Sequence, residues 1–178
     1  MNITAFDNYL RDPHKWRAKA LAATYRDVEA TGAIFPNIGE IPPEMILPGQ
    51  LSFFRLTLPD DILPTYIHND SAMAKTTGIL YLNLPSQCEG GTAFWKHKES
   101  GLTSAPTPAD LEVLGADYVQ KLVEDGLHED RWEQTGLVDM RFNRLLVFDS
   151  ALWHSPWPRK GWGSDISNGR LIQVFFLP

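Results

Sequence analysis

Cysteine is nearly missing from this chain of 178 residues, with Cys88 standing alone. That excludes an intramolecular disulfide, and the want of a cysteine cluster excludes a thiolate-held zinc site. Long apolar runs are also missing, so no segment reads as a membrane-spanning helix. Met1 to Asp7 shows no basic stretch followed by an apolar one, which argues against a secretion signal and makes the cytoplasm the expected location. Positive charge is not in excess. The formal net charge of −6 disfavours a broad grip on nucleic acid or an anionic membrane, and Arg159-Lys160 is left as the nucleus of any basic patch. There is no glycine-rich phosphate loop and no strand–helix alternation of the parallel kind. There is no Gly-X-Ser-X-Gly elbow either, so Ser155 has no claim to be a nucleophile. No internal repeat or low-complexity tract is visible.

What is present is enough apolar sequence, 43% of the chain, to bury the core of one domain over residues 1–178. Residues 6 to about 31 read as a helix. Asp12 can cap it, Pro13 suits its first turn, Trp16, Ala20 and Ala23 form a stripe, and Gly32 is a stop. Ile34 to Pro48 reads as an irregular connection. From Leu51 the period changes to that of strands. Leu51–Leu58, Thr76–Leu84, Thr92–Lys96, Leu137–Phe142, Asn143–Asp149 continuing past a kink into Ala151–Pro156, and Gly169–Leu177 are the expected strands. In Thr76–Leu84 the even-numbered leucines face one way, and Ile79, Tyr81 and Asn83 the other. Residues 99–136 break the pattern with a helical stripe (Leu111, Leu114, Tyr118, Leu122, Val123) that stops at Gly126. At about 40 residues this stretch is too short for its own core and reads as a helical insertion. The whole predicts a mainly β sandwich or jelly roll with an N-terminal helix and the insertion packed outside.

His68-Asn69-Asp70 places an imidazole and a carboxylate two residues apart, on one face of an extended chain. Such a pair is either a surface hydrogen bond or two prongs of a metal site, and the second reading needs a third ligand. Of the other histidines, His14 and His128 lie in polar helical contexts and His97 is flanked by Lys96 and Lys98. His154 follows the buried run Leu145–Phe148 and is the best candidate to complete the set. Two histidines and one carboxylate leave one side of an ion open, as in non-haem Fe(II) oxygenases. Arg170 is either a strand-edge charge or an anion partner facing inward with Ile172 and Val174, and Arg159 and Lys160 are its rivals.

His68-Asn69-Asp70, His154 84 residues after Asp70, and Arg170 16 residues after His154 resemble the His-X-Asp…His…Arg pattern of the Fe(II)/2-oxoglutarate-dependent dioxygenases. Tyr81-Leu82-Asn83, Gly90-Gly91-Thr92-Ala93-Phe94 and Asn143–Asp149 followed by His154-Ser155 are similar to the prolyl-hydroxylase-like branch. The resemblance covers roughly residues 50–178. It implies a double-stranded β-helix (jelly roll), with Fe(II) held by His68, Asp70 and His154 and with 2-oxoglutarate as cosubstrate. It implies that Arg170 meets the distal carboxylate, a task suited to a guanidinium fork. Tyr66, Tyr81 and Asn83 are expected to line the cosubstrate pocket, although barrel lining is an equal alternative for each. The implied reaction is hydroxylation with O2, releasing succinate and CO2, of a small-molecule or peptidyl substrate. The presence of Asp70 argues against halogenation. The rival expectation is a metal-binding jelly-roll module that binds a ligand without catalysis.

Overall fold

The computed structural model describes residues 3–30, 32–46 and 50–178. The period-2 segments form two antiparallel sheets. The larger has seven strands in the order β1-β8-β5-β10-β4-β3-β2. These are β1 (Ile3–Phe6), β2 (Tyr25–Ala30), β3 (Ala33–Gly39), β4 (Leu51–Thr57), β5 (Thr76–Tyr81), β8 (Leu145–Asp149) and β10 (Arg170–Leu177). The smaller has the order β7-β6-β9, from β6 (Gly91–His97), β7 (Trp132–Asp139) and β9 (His154–Trp157). A single antiparallel bridge between His68 and His154 lays the 66–68 segment along the free edge of β9.

The sheets face each other across one apolar core, so the architecture is a mainly β sandwich. Ile79 and Tyr81 of β5, Leu146 and Phe148 of β8, and Ile172, Val174 and Phe176 of β10 meet Phe94 of β6 there. Strand alternation sends the other residues outward. Phe54, Leu80 and Leu171 pack beneath helix α1 (Pro13–Leu21), together with Ala20 and Trp16. The indole of Trp16 donates to the buried Gln173 amide oxygen at 2.6 Å. The outer face of the small sheet is covered by the insertion. Leu122 of α3 (Tyr118–Asp125) packs with Trp95, Trp132 and Trp153.

The N-terminal helix is shorter than its sequence predicts. Asp12 does cap it, accepting from the Lys15 amide at 3.1 Å, but the helix closes at Leu21. Tyr25–Ala30 is a strand, and Gly32, at φ +76°, turns the chain into β3. The expected irregular connection therefore contains a strand as far as Gly39, while the part of it at 47–49 lies outside the described residues. β3 is decided by pairing with β4, and β2 by pairing with β3, a tertiary effect that local propensity cannot anticipate. The insertion ends at Arg131, because Trp132 already pairs with His97. Gly115, at φ +93°, divides its stripe into α2 (Pro108–Leu114) and α3. β8 and β9 are likewise two strands in different sheets, separated by a turn at Ser150, and not one kinked strand. Among the described residues no helix is long and apolar enough to cross a membrane.

Candidate metal centre

Where the 66–68 segment meets β9, the backbone fixes two histidines against each other. The His68 amide donates to the His154 carbonyl at 3.0 Å, and the His154 amide donates back to His68 at 2.8 Å. Two residues on, the Asp70 amide donates to the Ser150 carbonyl at 2.7 Å. The three side chains converge. The His68 and His154 ring centroids are 4.4 Å apart. Asp70 Oδ1 lies 3.7 Å from His68 Nε2, and Asp70 Oδ2 lies 3.3 Å from His154 Nε2. The possible ligand atoms of all three residues lie within 4.8 Å of one another.

Tautomers follow from the backbone. His68 Nδ1 is 2.9 Å from the Tyr66 carbonyl, and His154 Nδ1 is 2.9 Å from the Leu152 carbonyl. A carbonyl only accepts, so each Nδ1 carries the proton and each Nε2 presents its lone pair to the shared space. This outer hydrogen bond is the one that orients metal-bound histidines. Burial, reinforced by the neighbouring His154, pushes the His68 pKa down to about 4. The ring is therefore neutral at ordinary pH. Burial alone would raise the Asp70 pKa, but the adjacent His154 and His68 and the hydrogen bond from the Thr77 hydroxyl hold it below the usual carboxylate range. Thr77 Oγ1 donates to Asp70 Oδ2 at 2.9 Å and lies 2.8 Å from Ser150 Oγ. Phe148 closes one side, its ring 4.6 Å from that of His154. Two imidazole nitrogens and one carboxylate on one side of a small space suit a first-row divalent ion. Three ligand atoms at about 2.1 Å from such an ion sit roughly 3.0–3.4 Å from one another, which the two Asp70–histidine spacings of 3.3 and 3.7 Å approach.

Arg170 opens β10 on the inner face, in line with Ile172 and Val174, and is 3% exposed. Its Nη2 is 3.4 Å from the Gly91 carbonyl, and its Nε has no partner. Burial pushes its pKa down to about 10, and no carboxylate pairs with it among the described residues. Tyr81 lies in the same interior with its hydroxyl 2.7 Å from Thr92 Oγ1, and burial raises its pKa. Asn83 is fully buried but engaged with the backbone. It donates to the Gly169 carbonyl at 2.7 Å and accepts from the Leu171 amide at 2.8 Å, gripping the chain on both sides of Arg170. Its amide thereby holds the backbone on either side of Arg170.

Tyr66 departs from expectation. Its ring packs edge-on against Trp95, in the cluster beneath the insertion, and under the Arg159 guanidinium. Its hydroxyl reaches Glu129, and only its carbonyl touches the histidines. The 66–68 segment bonds to the sheet at a single bridge, so the two-residue period that put Tyr66 beside His68 does not hold. Arg159, the rival of Arg170, lies over that ring and donates to the Leu127 carbonyl. Thr77 and Arg55 went unnoticed in the sequence. Thr77 carries no signal there. Arg55, an arginine alternating with Phe53 and Thr57 in an apolar strand, does.

The family of unknown function DUF6445 matches residues 62–177. The chain belongs to this family. The matched region contains His68, Asp70, His154 and Arg170, and leaves out β1 to β4. No curated protein matches the chain. Among solved structures it is similar to an N-substituted L-amino acid dioxygenase from Burkholderia ambifaria AMMD. That likeness has 10% identity and a TM-score of 0.37, over 86% of this chain and 53% of the other. It is also similar to HygX from Streptomyces hygroscopicus with iron bound, at 15% identity and a TM-score of 0.36, over 70% of this chain and 55% of the other. The chain thus spans about half the length of each of these structures.

Proposed function

We propose that the protein is an Fe(II)- and 2-oxoglutarate-dependent dioxygenase of the prolyl-hydroxylase-like branch, hydroxylating a small-molecule or peptidyl substrate. Residues 1–178 would form one domain on a double-stranded β-helix. The observation that carries the reading is the convergence of two Nε2 lone pairs and the Asp70 carboxylate, each oriented by its own outer hydrogen bond. His68, Asp70 and His154 would hold the ion on one side and leave the other open for exchangeable ligands. Fe(II) bound there would supply oxygen activation and the oxidative decarboxylation of 2-oxoglutarate to succinate and CO2.

The chain's own residues supply geometry. Arg170, buried without an acid, offers its guanidinium to the distal carboxylate of the cosubstrate. Tyr81 and Thr92 give hydroxyl groups on the neighbouring wall. Asn83 holds the start of β10 in place, and Phe94, Phe148 and Ile172 keep water from the space between.

Anaerobic titration with Fe(II) and 2-oxoglutarate tests the reading through the weak visible charge-transfer band of that complex. The band is expected in the wild type and in His128→Ala, and is lost in His154→Ala. Admission of oxygen should then yield succinate. No band in the wild type refutes the proposal. A band without succinate formation or oxygen uptake favours a ligand-binding module instead.

A further inference from the structure

A second arginine faces the same interior. Arg55 lies on β4 opposite Ile172, two residue pairs along from Thr57 and Arg170 and so on the same face as Arg170. It alternates with Phe53, whose ring packs on Phe176 in the central core. The two-residue period therefore turns Arg55 and Arg170 toward one space between the sheets. Arg55 lies in the field of Asp70 and also acts on His68 and Arg170, whereas the groups acting on Arg170 are Tyr81 and Arg55. Arg55 is thus within electrostatic reach of both the Asp70 carboxylate and Arg170.

Neither guanidinium has an ion-pair partner among the described residues. The acids nearest Arg55 are occupied. Asp61 accepts from the Asn37 side chain at 2.9 and 3.0 Å and from the Leu58 amide at 2.8 Å. Asp70 is turned to Thr77 and His154. Trp162, packed against the same core, adds a buried indole N–H with no acceptor. The space thus collects donors and positive charge, with Asp61 and Asp70 in the field of Arg55 but ion-paired to neither guanidinium among the described residues. Two like charges on one face, Arg170 buried and Arg55 half-buried, repel each other, and a dianion between them would offset both.

We infer that Arg55 and Arg170 bind the two ends of one small dicarboxylate, with Arg170 at the far end and Arg55 on the side nearer the histidines. This rests on the oxygenase reading for the ligand's place in a reaction, though not for its binding. It makes Arg55 a second anion-binding residue of the site and selects dicarboxylates over monocarboxylates.

Calorimetric titration of metal-free and zinc-loaded protein with succinate and butyrate tests it. The wild type is expected to prefer succinate. Arg55→Met and Arg170→Met each weaken succinate binding by roughly 30-fold or more, as for truncating one partner of a buried charge pair, and abolish the preference over butyrate. Thermal melting gives an independent sign. Ligand-free Arg55→Met melts at or above the wild type, because a repelling charge has gone, and loses the rise in Tm that succinate induces. Should Arg55→Met fail to fold, Arg55→Lys keeps the charge and must keep the preference for succinate. The inference is overturned if the wild type shows no such preference, if Arg55→Met binds succinate like the wild type, or if Arg55→Lys loses the preference. An Arg55-dependent succinate site in a protein that makes no succinate from 2-oxoglutarate refutes the oxygenase reading alone. Unchanged cosubstrate affinity in Arg55→Met, with turnover intact, refutes the arginine pair alone.

Discussion

Replacing Thr77 by valine keeps the shape of a buried strand residue and removes one hydroxyl. That hydroxyl donates to Asp70 Oδ2 at 2.9 Å and lies 2.8 Å from Ser150 Oγ. Thr77 is 1% exposed and Ser150 fully buried, so water cannot take the vacated place. A hydrogen bond to a charged group contributes about 1.5–3 kcal/mol. At about 1.4 kcal/mol per factor of ten, its loss corresponds to roughly a 10- to 100-fold weaker grip on a metal that needs the carboxylate held in plane. Loss of outer partners of metal ligands costs about the same factor in other sites. The assay is anaerobic competition for Fe(II), or for Mn(II), against a chelating indicator, with urea unfolding of the metal-free protein in parallel. Thr77→Ser retains the hydroxyl and should stay within about threefold of the wild type. If folded Thr77→Val binds metal as tightly as the wild type, the carboxylate does not depend on this hydroxyl and the reasoning fails.

Asn83→Ala should lower stability by about 2–6 kcal/mol, because the Gly169 carbonyl and Leu171 amide both lose a buried partner at about 1–3 kcal/mol each; the urea midpoint reports it, and 2-oxoglutarate affinity should fall with it as Arg170 loosens. Tyr66→Phe should leave metal affinity unchanged, since the Tyr66 hydroxyl reaches Glu129 and its ring lies under the insertion; a tenfold loss in the competition assay would return Tyr66 to the site. Metal-free protein should become less stable as pH falls from about 6.5 to about 4, since the unfolded chain takes up a proton at His68 where the folded state, with its pKa lowered to about 4, does not. The full effect is about 3 kcal/mol, His68→Gln should flatten it in urea melts across that window, and Asp70, lowered below 3.8, adds a loss of the same sign only at more acid pH.

The convergence of His68, Asp70 and His154 was legible because its chemistry is carried by residue type and order. Neutral imidazole and carboxylate have few other reasons to sit beside buried strands, and His154 follows the apolar run of β8. Arg170 was legible from alternation with Ile172 and Val174, which the core confirms. The N-terminal strands were not. Trp16, Ala20 and Ala23 set a helical spacing, and Thr24–Ala30 contains nothing that breaks a helix. Pairing of Tyr25 with Gly39, and of Gly39 with Phe54, decided the matter from a distance in sequence. Asn83 was read for its face and not for its backbone bonds, which depend on where β10 begins. Gly126 was read as a helix stop, and α3 does end on it as its C-cap; what the sequence did not show is that it is small because a Cβ there would collide with the Ile67 carbonyl oxygen.

That contact joins two regions usually thought of separately. The Ile67 amide donates to the Gly126 carbonyl at 2.9 Å, and the next residue, His68, exchanges hydrogen bonds with His154. One short stretch of chain is thus fastened on one side to the end of α3 and on the other to β9, across an 86-residue gap in sequence (154 − 68 = 86). An ion held by His68 and His154 would act as a rivet through that seam. Removing it should raise hydrogen exchange at the Ile67 and His68 amides and then along α3, so that the outer surface of the insertion registers whether the centre is filled.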